Sequence, residues 1–274
     1  MNPCSNKAVA ATYKPSLELI LDIFDTAAAS SRASALSISS VCSWARVSVT
    51  EILSTSFILT GQSNVLRSIP ENTRSPARNL WIHDVGESWL HARQFFLGFP
   101  EPAAVALSAH YLIALLQDVL KREESDGSIN VPSPRHPCRS LSFLSEMGEG
   151  SWRNFVMSSW HPFRLGIAHM RFHHLRLHLF VQLVHFPNLT HLALPYADFT
   201  PDDPPLLDSC NQIPQALRFY VESRRHTHDI DMIHVVYAGR EPSSEEWWKE
   251  VNGGRSIWNT AVPLDRAIQG ILPV

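Results

Sequence analysis

The run from Leu17 to Ala45, LELILDIFDTAAASSRASALSISSVCSWA, constrains the chain more than any other stretch. Ser16 is placed to cap a helix, and Glu18 sits in its first turn, where a negative charge meets the positive end of the helix dipole. Leu17, Ile20, Leu21 and Phe24 recur at i, i+3, i+4 and i+7, and Leu19 and Ile23 widen that stripe over most of the circumference. Thr26 to Arg32 reads as a turn, and Ala35 to Val47 as a second helix with Ile38, Val41, Cys42 and Ala45 on one face. A helix this apolar in so short a module needs cover on two sides. Its neighbouring helix can supply one; the other side suits a partner.

Pro15, Glu18, Leu19, Ile20, Ile23, Phe24, Leu36, Val41, Cys42 and Trp44 together form a pattern that resembles the F-box, and the arrangement looks like that of fungal proteins with an F-box before a divergent leucine-rich segment. Lys14 takes the place of the usual leucine, Pro15 stands one residue further from Glu18 than in the family, and the interval from Val41 to Trp44 is one residue short. The resemblance implies a non-enzymatic substrate-recognition subunit of a cullin-RING ubiquitin ligase. In it the first helices dock a Skp-type adaptor, and the later region binds a protein substrate. On this reading Leu17, Leu19, Ile20, Ile23, Phe24, Val41 and Trp44 face the adaptor or support that face. The family's third helix is poorly represented in Ser48 to Thr60, which is rich in serine and β-branched residues.

Residues 1–14 read as a tail, 15–59 as the helical module, 60–77 as a linker and 78–274 as a leucine-rich-repeat-like recognition domain. The linker assignment rests on Gly61, Gln62, Ser63, Asn64, Pro70, Asn72, Ser75 and Pro76. Beyond it, short strand-like runs alternate with helical or polar connections. They begin at Asn79, Leu141, Leu165, Leu189, Leu217 and Ile233, with several intervals inside the roughly 20–29 residues of leucine-rich repeats. Phe186 to Leu194 carries the LxxLxL arrangement, whose leucines point from a short parallel strand into a shared core. Ala103 to Arg122 reads as a long helix, and Ser243 with Glu246 as a capping box closed by Asn252-Gly253-Gly254. The expected class is α/β: a helical hairpin, then an irregular parallel sheet with covering helices. The alternative reading is a leucine-rich-like interaction protein with no ubiquitin-ligase link, whose first helices only cap one end of the sheet.

Catalytic signatures are sparse. His169/His173 and His174/His178 have the i, i+4 spacing of helical zinc ligands, but the glutamate of a HExxH site is absent and Arg171 and Arg176 lie among them. Gly148-Glu149-Gly150-Ser151 is no nucleophile elbow, and the four cysteines form no CxxC pair, which fits reduced thiols in a cytoplasmic or nuclear protein. No cofactor is implied. A formal charge of −3 with interspersed signs gives no case for nucleic acid or an anionic membrane, and no apolar run should span a bilayer. Trp247, Trp248 and Trp258 make the richest aromatic cluster, and neighbouring tryptophans on one helix face different ways.

Overall fold

In a computed structural model of the protein, the structure describes residues 16–60, 77–86, 102–115, 138–145, 148–157, 161–172, 182–183, 185–195, 233–238, 242–254, 256–264 and 266. The first helix, α1 (Leu17–Ser30), opens on Ser16, whose side chain accepts from the Leu19 amide at 3.2 Å. It runs four residues past the start of the expected turn. Ser31 alone separates it from α2 (Arg32–Val41), ending one helix and capping the next in extended conformation. The expected single helix across Ala35–Val47 is instead broken at Cys42, which is also extended, so Trp44 begins a third helix, α3 (Ser43–Thr55).

That third helix corrects the expectation drawn from composition. Its hydroxyls return to the helix: Ser48 to the Ala45 carbonyl, Thr50 to Arg46, Ser54 to Glu51 and Thr55 to Ile52. Val49 is buried, and Ile52 and Leu53 pack beside it, so tertiary contact overrides a weak local propensity.

Strand β1 (Ser56–Thr60) follows α3 with no intervening residue and pairs in parallel with β2 (Asn79–His83). The sheet therefore begins inside the segment assigned to the helical module. Residues 61–76 lie outside the described residues, so the linker itself is not described. The remaining strands are β3 (Ala104–Leu107), β4 (Ser140–Phe143), β5 (His169–Arg171), β6 (His191–Pro195), β7 (His234–Ala238) and β8 (Val262–Pro263). Their order in the sheet is their order in the chain, parallel throughout except for β8, which adds antiparallel to β7. Strand starts keep a repeat-like interval from β1 to β3 and from β4 to β6, and overshoot at β3 to β4 and β6 to β7. The run at Leu217 lies outside the described residues.

Ala104–Leu107 corrects the expected long helix: the run is a strand, with helix α4 (residues 109–115) only after Ser108. A short continuous apolar run reads the same way in a buried strand and a buried helix, and here both faces of the strand are covered. One face holds the main core, with Leu80, Ile82, Val105, Leu107, Leu141, Phe143, Met170, Leu192, Leu194 and Val235. Helix α5 (Glu149–Met157) adds Trp152 and Phe155, which meet Phe143 and Phe186 in an aromatic cluster with ring centroids 5.7–6.1 Å apart. A further short helix, α6 (His161–Gly166), leads into β5. The LxxLxL leucines Leu189, Leu192 and Leu194 are all buried there, as their spacing requires.

The opposite face is covered by the chain's own C-terminal part. Helix α7 (Ser244–Val251) starts with the full capping box of Ser243 and Glu246. It ends in a turn where Gly253 has φ +87° and the Gly254 amide donates to the Lys249 carbonyl at 2.6 Å, the six-to-one bond of a Schellman motif. A 3₁₀ turn, Ile257–Thr260, follows and leads into β8. Trp247 lies against Trp81, Ala104, Ala106 and Leu144, while Trp258 lies by Ala193 and Val236. Alanines on this face leave the room that the indoles occupy.

Candidate protein-docking surface

Apart from Met157, every large hydrophobic side chain that is exposed among the described residues belongs to α1, α2 or α3. They are Leu17, Leu19, Ile23, Leu36, Val41, Trp44 and Val47. Val47 is 75% exposed, Val41 68%, Leu17 61% and Ile23 55%. Of the residues singled out from sequence, Leu17, Leu19, Ile23, Val41 and Trp44 thus face outward. Ile20 is half-buried, and Phe24 packs against the helix cluster's own core. Phe24 joins the two sets, because its ring stacks on Trp44 with centroids 5.5 Å apart and planes 14° from parallel, bridging α1 and α3.

Leu36 and Val47 complete this outward set and were not among the candidate contacts. Leu36 belongs to the sequence pattern itself. Val47, on α3, is the most exposed of the set and lies opposite the face expected of Ala35–Val47. Monomeric proteins rarely leave large apolar patches open, and those they do leave mark interaction sites.

What lies behind this surface is the reverse. The buried residues of the cluster are Ala28, Ala35, Ile38, Ala45 and Val49, joined by Trp248 from α7. The neighbouring tryptophans of α7 do face different ways, and neither faces solvent. Trp247 and Trp248 are both buried, in different clusters on opposite sides of α7.

A second group of titratable side chains sits on the sheet face under the 3₁₀ turn. His169, His191 and His234 stand in register on three adjacent strands, with ring centroids 4.7 and 5.1 Å apart. Trp258 stacks on His169 at 5.1 Å. Burial, with the neighbouring His191 and Arg139, holds His169 down to about 4, and burial together with His234 lowers His191. Beside them Arg171 and Glu250 pair at 3.7 Å, both nearly buried; loss of water lowers the arginine and raises the carboxyl despite their attraction. No group of three or more His, Cys, Asp or Glu among the described residues is arranged to hold a metal ion. His173, His174 and His178 lie outside the described residues. Cys138 is buried and its thiol is pushed up to about 12 by desolvation, which makes it a poor nucleophile. Among the described residues no helix is long and apolar enough to cross a membrane.

No family model, curated protein or solved structure matches the chain.

Proposed function

We propose that the protein is a recognition subunit of the F-box type, in which the outer faces of α1, α2 and α3 dock a Skp-type adaptor and the sheet region serves a protein substrate. The observation that carries this reading is the concentration of exposed apolar side chains on those helices, at the residues the sequence pattern picks out: Leu17, Leu19, Ile23, Val41 and Trp44. Burying several such side chains at about 25 cal/mol per Å² is enough for a stable complex, although area alone does not fix affinity. Ile20 and Phe24 support the face from beneath rather than forming it.

The alternative role, a cap on the sheet, also has support: α3 runs straight into β1 and lies against it, and α1 lies against α7. The two roles use different faces of the same helices, so capping does not compete with docking. Under this proposal the substrate does not use the stretch of sheet from β1 to β7 that lies beneath α7 and the 3₁₀ turn, because that stretch is filled.

The test is capture of the full-length protein by a purified Skp-type adaptor, compared with Ile23→Asp/Val41→Asp. Both side chains point outward, so the double variant should keep its fold and lose capture by at least about tenfold, as loss of central contacts does in other interfaces. Equal capture of the two proteins would remove the docking assignment.

A further inference from the structure

The three helices that carry the outward apolar face do not fill their own interior. Where they meet, the buried positions are mostly alanine: Ala28 on α1, Ala35 on α2 and Ala45 on α3, with Ile38 and Val49 as the only larger ones. Phe24, Ile52 and Leu53 pack at the margin while still partly exposed, and the alanines leave room beside them for one more large side chain, which a packed interior does not leave empty. Trp248, wholly buried, occupies it from α7 at the other end of the chain.

Packing is only part of the contact. Where one helix ends and the next begins one residue later, carbonyls and amides are left without helical partners. Two of these are satisfied by α7. The indole N–H of Trp248 donates to the Ala28 carbonyl at 3.0 Å, in the last turn of α1. The Arg32 amide, first in α2, donates to the Glu245 carboxylate at 3.4 Å. One turn further on, Asn252 holds α7 to the sheet: the Ser56 hydroxyl donates to its Oδ1 at 3.0 Å and in turn accepts from the Asn79 side-chain Nδ2 at 2.9 Å.

We infer that residues 244–252 form a brace that completes the helix cluster, so that the shape of the docking helices depends on Trp248, far from them in sequence. Its two tryptophans divide the work. Trp248 serves the helices, and Trp247 serves the sheet through Trp81 at 5.7 Å. A lid that opens for a partner does not fit this construction, because opening would expose two buried indoles and unpair the ends of α1 and α2. The brace stands on its own geometry; only its consequence for adaptor capture rests on the proposed docking.

Hydrogen exchange of the full-length protein, read by mass spectrometry, separates the two tryptophans. In Trp248→Ala, amides of residues 17–55 should exchange about tenfold faster or more while those of 140–143 and 169–172 keep their protection. In Trp247→Ala the helices should stay protected and the β2 and β3 amides should loosen instead. Unchanged exchange over 17–55 in Trp248→Ala overturns the brace. If that variant loses protection throughout, Trp248→Phe and Glu245→Gln decide: faster exchange confined to 17–55 in either one supports the brace, and a uniform change or none in both overturns it. Adaptor capture of the same proteins is a separate readout. A brace confirmed by exchange, with no capture of even the unaltered protein, leaves the brace standing and ends the docking assignment.

Discussion

Ala28, Ala35 and Ala45 line the inside of the helix cluster while Leu19, Ile23, Trp44 and Val47 face out of it. In the sheet the order is the usual one: Leu80, Ile82, Leu107, Phe143 and Leu192 point into a common core, and the second face is closed by α7 and the 3₁₀ turn. Among the described residues, the apolar side chains of β2 to β6 are thus buried. The helix cluster leaves much of its own apolar surface in water and borrows a tryptophan for its centre. Hydrophobic burial is the main favourable term in folding, so a region that forgoes it in this way is shaped by something other than its own stability. The difference places dense packing in the sheet and open apolar surface on the helices, and it is the latter that the proposed docking role would use.

The strongest way to break that comparison is to attack the sheet core. Trp152 is wholly buried on α5 and contacts Phe143, Phe155, Phe172 and Phe186. Trp152→Ala should cost about 3–5 kcal/mol, the range for large aromatic truncations in packed cores. Chemical denaturation followed by circular dichroism would measure it. A loss below about 1 kcal/mol would mean that the sheet core is not where the stability lies.

Much of this organisation is written locally, and those parts were legible. Ser16 with Glu18, the Ser243–Glu246 capping box and the glycine turn after α7 each act within a few residues, so spacing alone reveals them. The buried leucines of Phe186–Leu194 are of the same kind, since a strand's period fixes which side chains face the core. What sequence reading missed depends on distant contact. Ser31 and Cys42 break the helices without glycine or proline. The helicity of Ser43–Thr55 comes from Val49 packing inward beside Ile52 and Leu53, with the hydroxyls satisfied by the helix's own carbonyls. Ala104 and Ala106 belong to a strand because Trp247 lies over them, and nothing near residue 104 announces residue 247. The apolar pattern of the proposed docking residues is visible in the sequence, but its division into exposed Ile23 and half-buried Phe24 is not.

A middle-sized effect should come from pH, and it should act on the sheet through the histidine row. Burial holds His169 down to about 4 from its ordinary 6.5, and His191 is lowered in the same way. A folded state that resists protonation keeps the full contribution of these groups above pH 6.5 and loses it as pH falls from 6.5 toward about 4. Glu250 acts with the opposite sign: its carboxyl is raised by burial, so its contribution is lost as pH rises through the range of the shift, which softens the fall. The melting temperature should therefore be lower at about pH 5 than at about pH 7, and the difference should shrink in His169→Gln. A protein equally stable at both values, or more stable in acid, would show that the histidine row does not outweigh Glu250, and an unchanged difference in His169→Gln would show that the stack under Trp258 contributes nothing through protonation.

The smallest effect on stability should come from the outward face itself, and this sharpens the comparison most. Ile23 is 55% exposed on α1, and its neighbour Leu19, one turn earlier on the same side, is exposed as well. Replacing an apolar side chain by a charged one in a core would be ruinous, because an unpaired buried charge costs several kcal/mol. At Ile23 the carboxylate would enter water, so Ile23→Asp alone should change the unfolding free energy by no more than about 0.5 kcal/mol in either direction. A helix face that accepts a charge at no cost to the fold has no structural reason to be apolar. If Ile23→Asp instead lowers stability by 2 kcal/mol or more, the side chain is buried by the protein's own chain, and the outward face of α1 is part of its core rather than a docking surface.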